Sequence, residues 1–484
     1  MIIFMKKKEK YKASGILKLR EETGFEMRYR TKPCSYIFTN TPCGKVKGLR
    51  KSGFSLYKGV RFATAERWED PEVVTAWQGE YDATKFGPWC CQHKSFFKEH
   101  DSLFSKFYYD QTADKAICEY SEDCLNLNIW VPDGAEDAPV AVFIHGGSFV
   151  TGGNSQAYII GEEYCKRGVI MVSINYRLNA FASVHEGSHT GNYALKDQIA
   201  AFQWLKRNIA SFGGNPDRIV GIGESAGALS LQCLLYSPQA KGLLAGAVMM
   251  SGGGYLDVLG IPACPEFAEN TWSLVKKKFG VETLDELKEV PAAALYTAWL
   301  EAGATDINLA NNCAKPLLDR VVIPKPVPEL IEAGALNDIP CIFGLSSEDM
   351  FPYILYTKAA EWGVNQSRTG RSPVYGYYMD RQLPGDDAGA YHACDLWYAF
   401  GSLDFNWRPF TEIDYRISEN MIDYFTAFVK TGNPNNGVLP QWKPITQERV
   451  EFIHFGDAEA SMCKPPVEKL EAAIQNSEKP FPGM

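Results

Sequence analysis

Between residues 138 and 455 the chain repeats one pattern. Short apolar, β-branched runs end abruptly in glycine, serine or a charged residue, and stretches with helical spacing separate them. A-P-V-A-V-F-I (138–144) runs into His145-Gly146-Gly147, and G-V-I-M-V-S-I (168–174) runs into Asn175-Tyr176-Arg177. Residues 218–222 end at G-E-S-A-G, 244–250 at Ser251-Gly252-Gly253, and 339–344 at Leu345-Ser346-Ser347. Runs apolar at nearly every position suit strands buried on both faces, as in a parallel sheet. Residues 194–209 place Leu195, Ile199, Phe202, Leu205 and Ile209 at helical spacing, and Gly213-Gly214-Asn215-Pro216 then turns the chain. The alternation predicts an α/β fold with a doubly wound, mostly parallel central sheet and helices on both faces. In such sheets chemistry gathers at the carboxyl ends of the strands.

Those exits carry candidate chemistry. Gly223-Glu224-Ser225-Ala226-Gly227 fits G-x-S-x-G between a strand and the apolar, helix-like 228–235. A serine in so sharp a turn is presented above the sheet, with free N–H groups of the following helix beside it. The overlapping Gly221-Ile222-Gly223-Glu224-Ser225-Ala226 also fits a dinucleotide fingerprint. That reading needs an acid at the end of the next strand, and none occurs there before Asp257. A serine hydroxyl needs a base and an orienting carboxylate. In the order serine, acid, histidine, the candidate bases are His392 and His454; His454 lies in the strand-like run 450–455, where packing explains it. The run 339–344 delivers two candidate acids, Glu348 and Asp349. His145-Gly146-Gly147-Ser148-Phe149 can bring main-chain N–H groups close to an anionic oxygen, with His145 itself structural.

Charge removes other classes. Net charge is −9, and residues 1–35 alone carry +6, so the rest carries −15. Phosphate binding would need a basic surface, so nucleic acid is not an expected partner. The leader places only five residues before Lys6-Lys7-Lys8, the wrong order for an export signal, and no run suits a membrane span, so no membrane anchor is expected. The thirteen cysteines are odd in number and scattered, without C-x-x-C. Free thiols in a reducing, cytoplasmic setting and no metal site follow. Residues 1–35 are read as a basic extension and 36–484 as a single domain.

The motifs taken together resemble the type-B carboxylesterases, the α/β-hydrolase family that includes cholinesterases and bacterial para-nitrobenzyl esterases. The similarity runs from about residue 42 to 443 through G-K-V-K-G (44–48), S-E-D-C-L-N-L-N-I-W (121–130), H-G-G-S-F (145–149), I-N-Y-R-L (174–178), G-N-Y-A-L-K-D-Q-I-A-A (191–201), F-G-G-N-P-D-R-I (212–219), G-E-S-A-G (223–227), Y-H-A-C-D-L-W-Y-A-F-G (391–401) and K-T-G-N-P-N (430–435). The resemblance implies an α/β-hydrolase fold, with Ser225 as nucleophile and His392 as base. It maps the acid onto Asp349, where the usual acid-glycine stretch reads Ser347-Glu348-Asp349-Met350. It also implies oxyanion donors at Gly147, Ser148 and Ala226, and no cofactor. Cys91 and Cys124 match a disulfide of secreted relatives and are expected unpaired here. The implied reaction is hydrolysis of a small-molecule carboxylic ester through an acyl-enzyme. Amides, thioesters or acyl transfer to another alcohol are alternatives within the same triad, and a non-catalytic binding homologue is an alternative outside it. A neutral imidazole base implies activity falling as pH drops through roughly 6–7. Trp397, Tyr398 and Phe400 follow the base closely and are candidates for the pocket wall, Trp397 and Phe400 foremost.

Overall fold

The computed structural model describes residues 35–92, 119–186, 189–255, 261–263, 266–304 and 314–477. The basic extension therefore lies outside the described residues except for Ser35.

One large sheet organises the chain. Its strands are β1 (Ser35–Thr41), β2 (Gly44–Arg50), β3 (Phe54–Arg61), β4 (Asn126–Pro132), β5 (Ala138–Ile144), β6 (Ile170–Ile174), β7 (Gly214–Glu224), β8 (Gly246–Met250), β9 (Cys341–Ser346), β10 (Val374–Met379), β11 (Phe452–Phe455) and β12 (Ser461–Cys463). The spatial order is β1-β2-β3-β4-β6-β5-β7-β8-β9-β10-β11-β12, and Tyr81–Asp82 pairs with β2. From β6 to β11 every pairing is parallel. An antiparallel ribbon, β1 to β4, flanks one side and β12 closes the other. The parallel block is the mostly parallel sheet expected from the apolar runs, whose residues are buried throughout β5, β6 and β8.

The glycine turn at 213–216 is folded into β7. Gly213 adopts φ 79°, Ala138 pairs with Gly214, and Val140 pairs next with Ile219, so 215–218 bulge out of the ladder. The antiparallel ribbon is the part the apolar pattern did not announce. Its first two strands are half exposed, and the second carries two lysines; within the parallel block, β10 (V-Y-G-Y-Y-M) is an aromatic run without aliphatic periodicity.

Helices cover both faces. Helix α1 (Tyr193–Asn208) and helix α2 (Ala226–Tyr236) bury Leu195, Phe202, Trp204, Leu231 and Leu234 against one face. Helix α3 (Glu412–Thr431) lays Ile417, Met421, Phe425 and Phe428 on the other. Two of the sequence motifs meet in a buried ion pair. Arg177, past the end of β6, donates from Nε and Nη2 to the Asp197 carboxylate on α1 at 2.8 and 2.7 Å. Arg177 also donates to the carbonyls of Glu66 and Glu69. Removing one partner of such a pair strands a buried charge, typically about 3–5 kcal/mol, so the exit of β6 is firmly held.

Candidate active site

The sharp turn is built as its sequence requires. Ser225 has φ 51° and ψ −119°, caps α2, and donates its N–H to Met250 O at 2.9 Å. The turn closes only because its flanks lack side chains. A Cβ on Gly227 would lie 2.0 Å from Ile144 O, and one on Gly223 would meet the Gly227 backbone at 2.4 Å. Gly223 is thus spent on strand–helix packing, not on a phosphate cradle.

Asp349 follows β9 and is buried. Its Oδ1 lies 2.6 Å from His392 Nδ1, its Oδ2 accepts from Ser251 Oγ at 2.7 Å, and Met350 N–H donates to Oδ1 at 2.8 Å. Burial alone would raise this carboxyl, yet the imidazole and these donors hold it below its ordinary value. Glu348 is exposed; its N–H donates to Ala390 O and its side chain lies over Gly389. Of the two acids, only Asp349 meets the imidazole.

The other edge of the His392 ring points at the turn. Nε2 lies 3.2 Å from Oε1 of Glu224, the residue before Ser225. Burial works against an imidazolium here, but Asp349 and Glu224 outweigh it and lift His392 from 6.5 to about 9. Burial pushes the Glu224 carboxyl in turn up to about 8.

The glycine loop stands opposite. A Cβ on Gly146 would be 3.0 Å from Ser225 Cβ, so this loop abuts the turn directly. Among the described residues the N–H groups of Gly147 and Ser148 donate to nothing, and the N–H of Ala226 opens α2. Ser225, Gly147, Ser148 and His392 are each partly exposed amid buried neighbours, which makes them the reachable surface of this cluster. His145 is buried, stacked on Tyr176, and driven down to about 4 by burial, so it stays neutral and structural. His454 pairs with Asp380 at 2.6 Å on β11, away from Ser225.

Trp397 and Phe400 are core residues. Both are fully buried, with Phe400 edge-on to Phe143 and Trp397 edge-on to Tyr158. Trp397 lies in the short helix Leu396–Ala399 and Phe400 caps it, and both rings pack in the apolar cluster that contains Ile417, Met421 and Phe425. Cys91 and Cys124 are free, as are the other seven described cysteines. The thiol hydrogen-bonded to Cys124 is that of Cys90.

Three participants escaped the pattern reading. Glu224 is a charged residue ending an otherwise apolar buried strand, an anomaly visible in the sequence. Ser251 was legible only as a strand exit. Asp395, three residues after His392, is buried, accepts from Tyr377 Oη at 2.5 Å and is pushed up to about 6 by burial. Among the described residues no group of His, Cys, Asp and Glu could hold a metal ion, and no helix is long and apolar enough to cross a membrane.

A model of the Carboxylesterase family matches residues 35–368 and 348–471. The chain belongs to this family. It is 28% identical to the para-nitrobenzyl esterase of Bacillus subtilis (strain 168), over 87% of this chain and 94% of that protein. It is 30% identical to the bile salt-activated lipase of Rattus norvegicus, over 85% and 80% respectively. The solved structure of a thermophilic PNB esterase superposes with a TM-score of 0.78 at 26% identity, covering 91% of this chain and all of that one. The Geobacillus stearothermophilus carboxylesterase EST55 gives 0.72 at 28% identity, covering 90% and 99%. This carboxylesterase is thus a carboxylic ester hydrolase with an α/β-hydrolase fold.

Proposed function

We propose that the enzyme hydrolyses small carboxylic esters through an acyl-enzyme formed on Ser225. One observation carries this reading. A single imidazole is held by Asp349 on Nδ1 while its Nε2 edge faces the turn that presents Ser225.

The chemistry follows from that arrangement. Ser225 Oγ attacks the ester carbonyl as His392 Nε2 takes its proton. Asp349 holds the ring in the Nδ1–H tautomer and stabilises the imidazolium that forms. The carbonyl oxygen becomes an oxyanion, met by the N–H groups of Gly147, Ser148 and Ala226. His392 then protonates the departing alcohol. A water, deprotonated by the same Nε2, attacks the acyl carbon, and Ser225 recovers its proton as the acid leaves. No metal or organic group enters any step.

The run D-R-Q-L-P-G-D-D-A-G-A (380–390) resembles that of a subset of bacterial esterases, which points toward small or aryl esters without naming one, and a relative is a para-nitrobenzyl esterase. Small neutral aryl and alkyl esters are therefore the proposed substrates. The free thiols support a reducing, cytoplasmic setting.

The test is turnover of p-nitrophenyl esters from acetate to octanoate by wild type and Ser225→Ala. Removing the nucleophile of a triad typically lowers kcat by about 10⁴–10⁶. Activity in wild type alone, with matching melting curves, is expected, and the chain-length optimum sizes the acyl pocket. Retained activity in Ser225→Ala would move the nucleophile elsewhere.

A further inference from the structure

The loop that carries Gly147 and Ser148 follows an unfavourable path. Ser148 and Phe149 have φ 56° and 62°, between Gly147 at 105° and Gly152 at 115°. Non-glycine residues in that region persist only when their surroundings hold them there. Within the loop, Gly147 O accepts from the N–H groups of Val150 and Thr151 at 2.9 and 3.1 Å. That turn does not by itself place the N–H groups of Gly147 and Ser148.

The outside restraint comes from Gln92. Its carbonyl oxygen accepts from Thr151 Oγ1 at 2.5 Å and from Gly152 N–H at 2.9 Å. Its amide nitrogen donates to Gly152 O at 2.8 Å and to Cys90 O at 3.1 Å. Both donors and both acceptor positions of one buried amide are thus used. The residues it grips are those that press on the glycines of the loop. A Cβ on Gly147 would sit 2.1 Å from Thr151 O, and one on Gly152 would sit 2.8 Å from Gly146 O. A shift of Thr151 or Gly152 is therefore passed directly to Gly146 and Gly147.

Gln92 is itself anchored. Leu178 N–H donates to Cys90 Sγ at 3.2 Å, and Asn179 Nδ2 donates to Cys91 O at 2.8 Å. The same Asn179 amide donates to Val150 O at 3.0 Å, and its N–H to Phe149 O at 2.7 Å. The loop is clasped from the side of Gln92 and from the exit of β6.

We propose that Gln92 is a positioning residue for ester hydrolysis, fixing the glycine loop so that the Gly147 and Ser148 N–H groups meet the oxyanion of the transition state. This rests on the triad reading above. Gln92 touches neither substrate nor the triad, so its contribution appears where charge develops on the carbonyl oxygen and little in ground-state binding.

The experiment compares wild type with Gln92→Leu and Gln92→Glu on p-nitrophenyl butyrate, reading kcat and KM separately. A second readout is inhibition by an alkyl trifluoromethyl ketone. There Ser225 Oγ bonds to the carbonyl carbon, its proton passes to His392, and the ketone oxygen becomes the oxyanion. Losing one oxyanion donor costs about 10²–10³ in kcat, and a displaced but present loop should fall below that. The expected result is a drop in kcat of about 10- to 100-fold, KM within about threefold, and an inhibition constant raised by the same factor as kcat falls. The acidic limb of the pH profile should stay in place, since His392 is untouched. Unchanged kcat and inhibition, or a loss carried by KM alone, overturns the proposal. Should Gln92→Leu fail to fold, Thr151→Val removes only one of the four hydrogen bonds. It should lower kcat and ketone affinity together by a few-fold, and no change in either overturns the proposal. Wild type without ester turnover would refute the triad reading and this role with it. Turnover by wild type with an indifferent Gln92→Leu refutes the positioning role alone.

Discussion

Replacing Glu224 by glutamine tests the electrostatics of the site most directly. Glutamine keeps the shape of the side chain and removes its charge. In the native site His392 is lifted from 6.5 to about 9, against the effect of burial, chiefly by Asp349 and Glu224 with a smaller push from Asp395. That rise corresponds to about 3 kcal/mol in favour of the imidazolium. Asp349 contacts the ring at 2.6 Å and Glu224 at 3.2 Å, so the larger part belongs to Asp349. Glu224 supplies the smaller part of the rise. The sign is fixed by the role of the base. Only neutral imidazole accepts the serine proton, so activity is present above the His392 pKa and is lost as pH falls through it. The native acidic limb should therefore lie above the roughly 6–7 expected from an ordinary imidazole, because the buried carboxylates favour the cation. Glu224→Gln should move that limb toward acid, by less than half of the native rise, and retain activity where wild type has lost it. The assay is kcat/KM for a p-nitrophenyl ester across the pH range, read at the isosbestic wavelength of the released phenol. An unmoved limb, or one displaced toward alkali, would refute the assignment of Glu224 as a carboxylate acting on His392.

Two further substitutions separate contributions that the sequence leaves adjacent. Asp349→Asn should lower kcat by about 10⁴, the loss typical when the orienting carboxylate is neutralised, whereas Glu348→Gln should stay within about twofold; parallel steady-state kinetics would show a reversal at once. Gly227→Ala should destabilise the fold, because its methyl would stand 2.0 Å from Ile144 O, a backbone atom of the central sheet. Overpacking typically costs about 1–3 kcal/mol, read as a lower denaturation midpoint, and an unchanged midpoint would show that α2 can slide.

Periodicity carried the parallel block apart from β10, whose aromatic run has no aliphatic pattern. Residues that must be apolar on both faces of a sheet leave runs such as A-P-V-A-V-F-I, and their abrupt ends mark the edge where chemistry collects. The turn at Ser225 was equally plain, since a sharp strand-to-helix corner admits few residue types. The antiparallel ribbon β1–β4 was less visible, because its outer strands are half exposed and their alternation is diluted by lysine and glycine. Which acid meets His392 also needed the fold. Glu348 and Asp349 differ by one position in sequence, but beyond the end of a strand one position separates an exposed side chain from a buried one. Trp397 and Phe400 show the converse. Nearness to the base in sequence suggested a pocket wall, and both rings pack instead in the apolar cluster with Ile417, Met421 and Phe425. Glu224, Ser251, Asp395 and Gln92 were decided by tertiary structure. Their contacts join residues up to 168 positions apart, and a local pattern holds no record of what a folded sheet brings face to face.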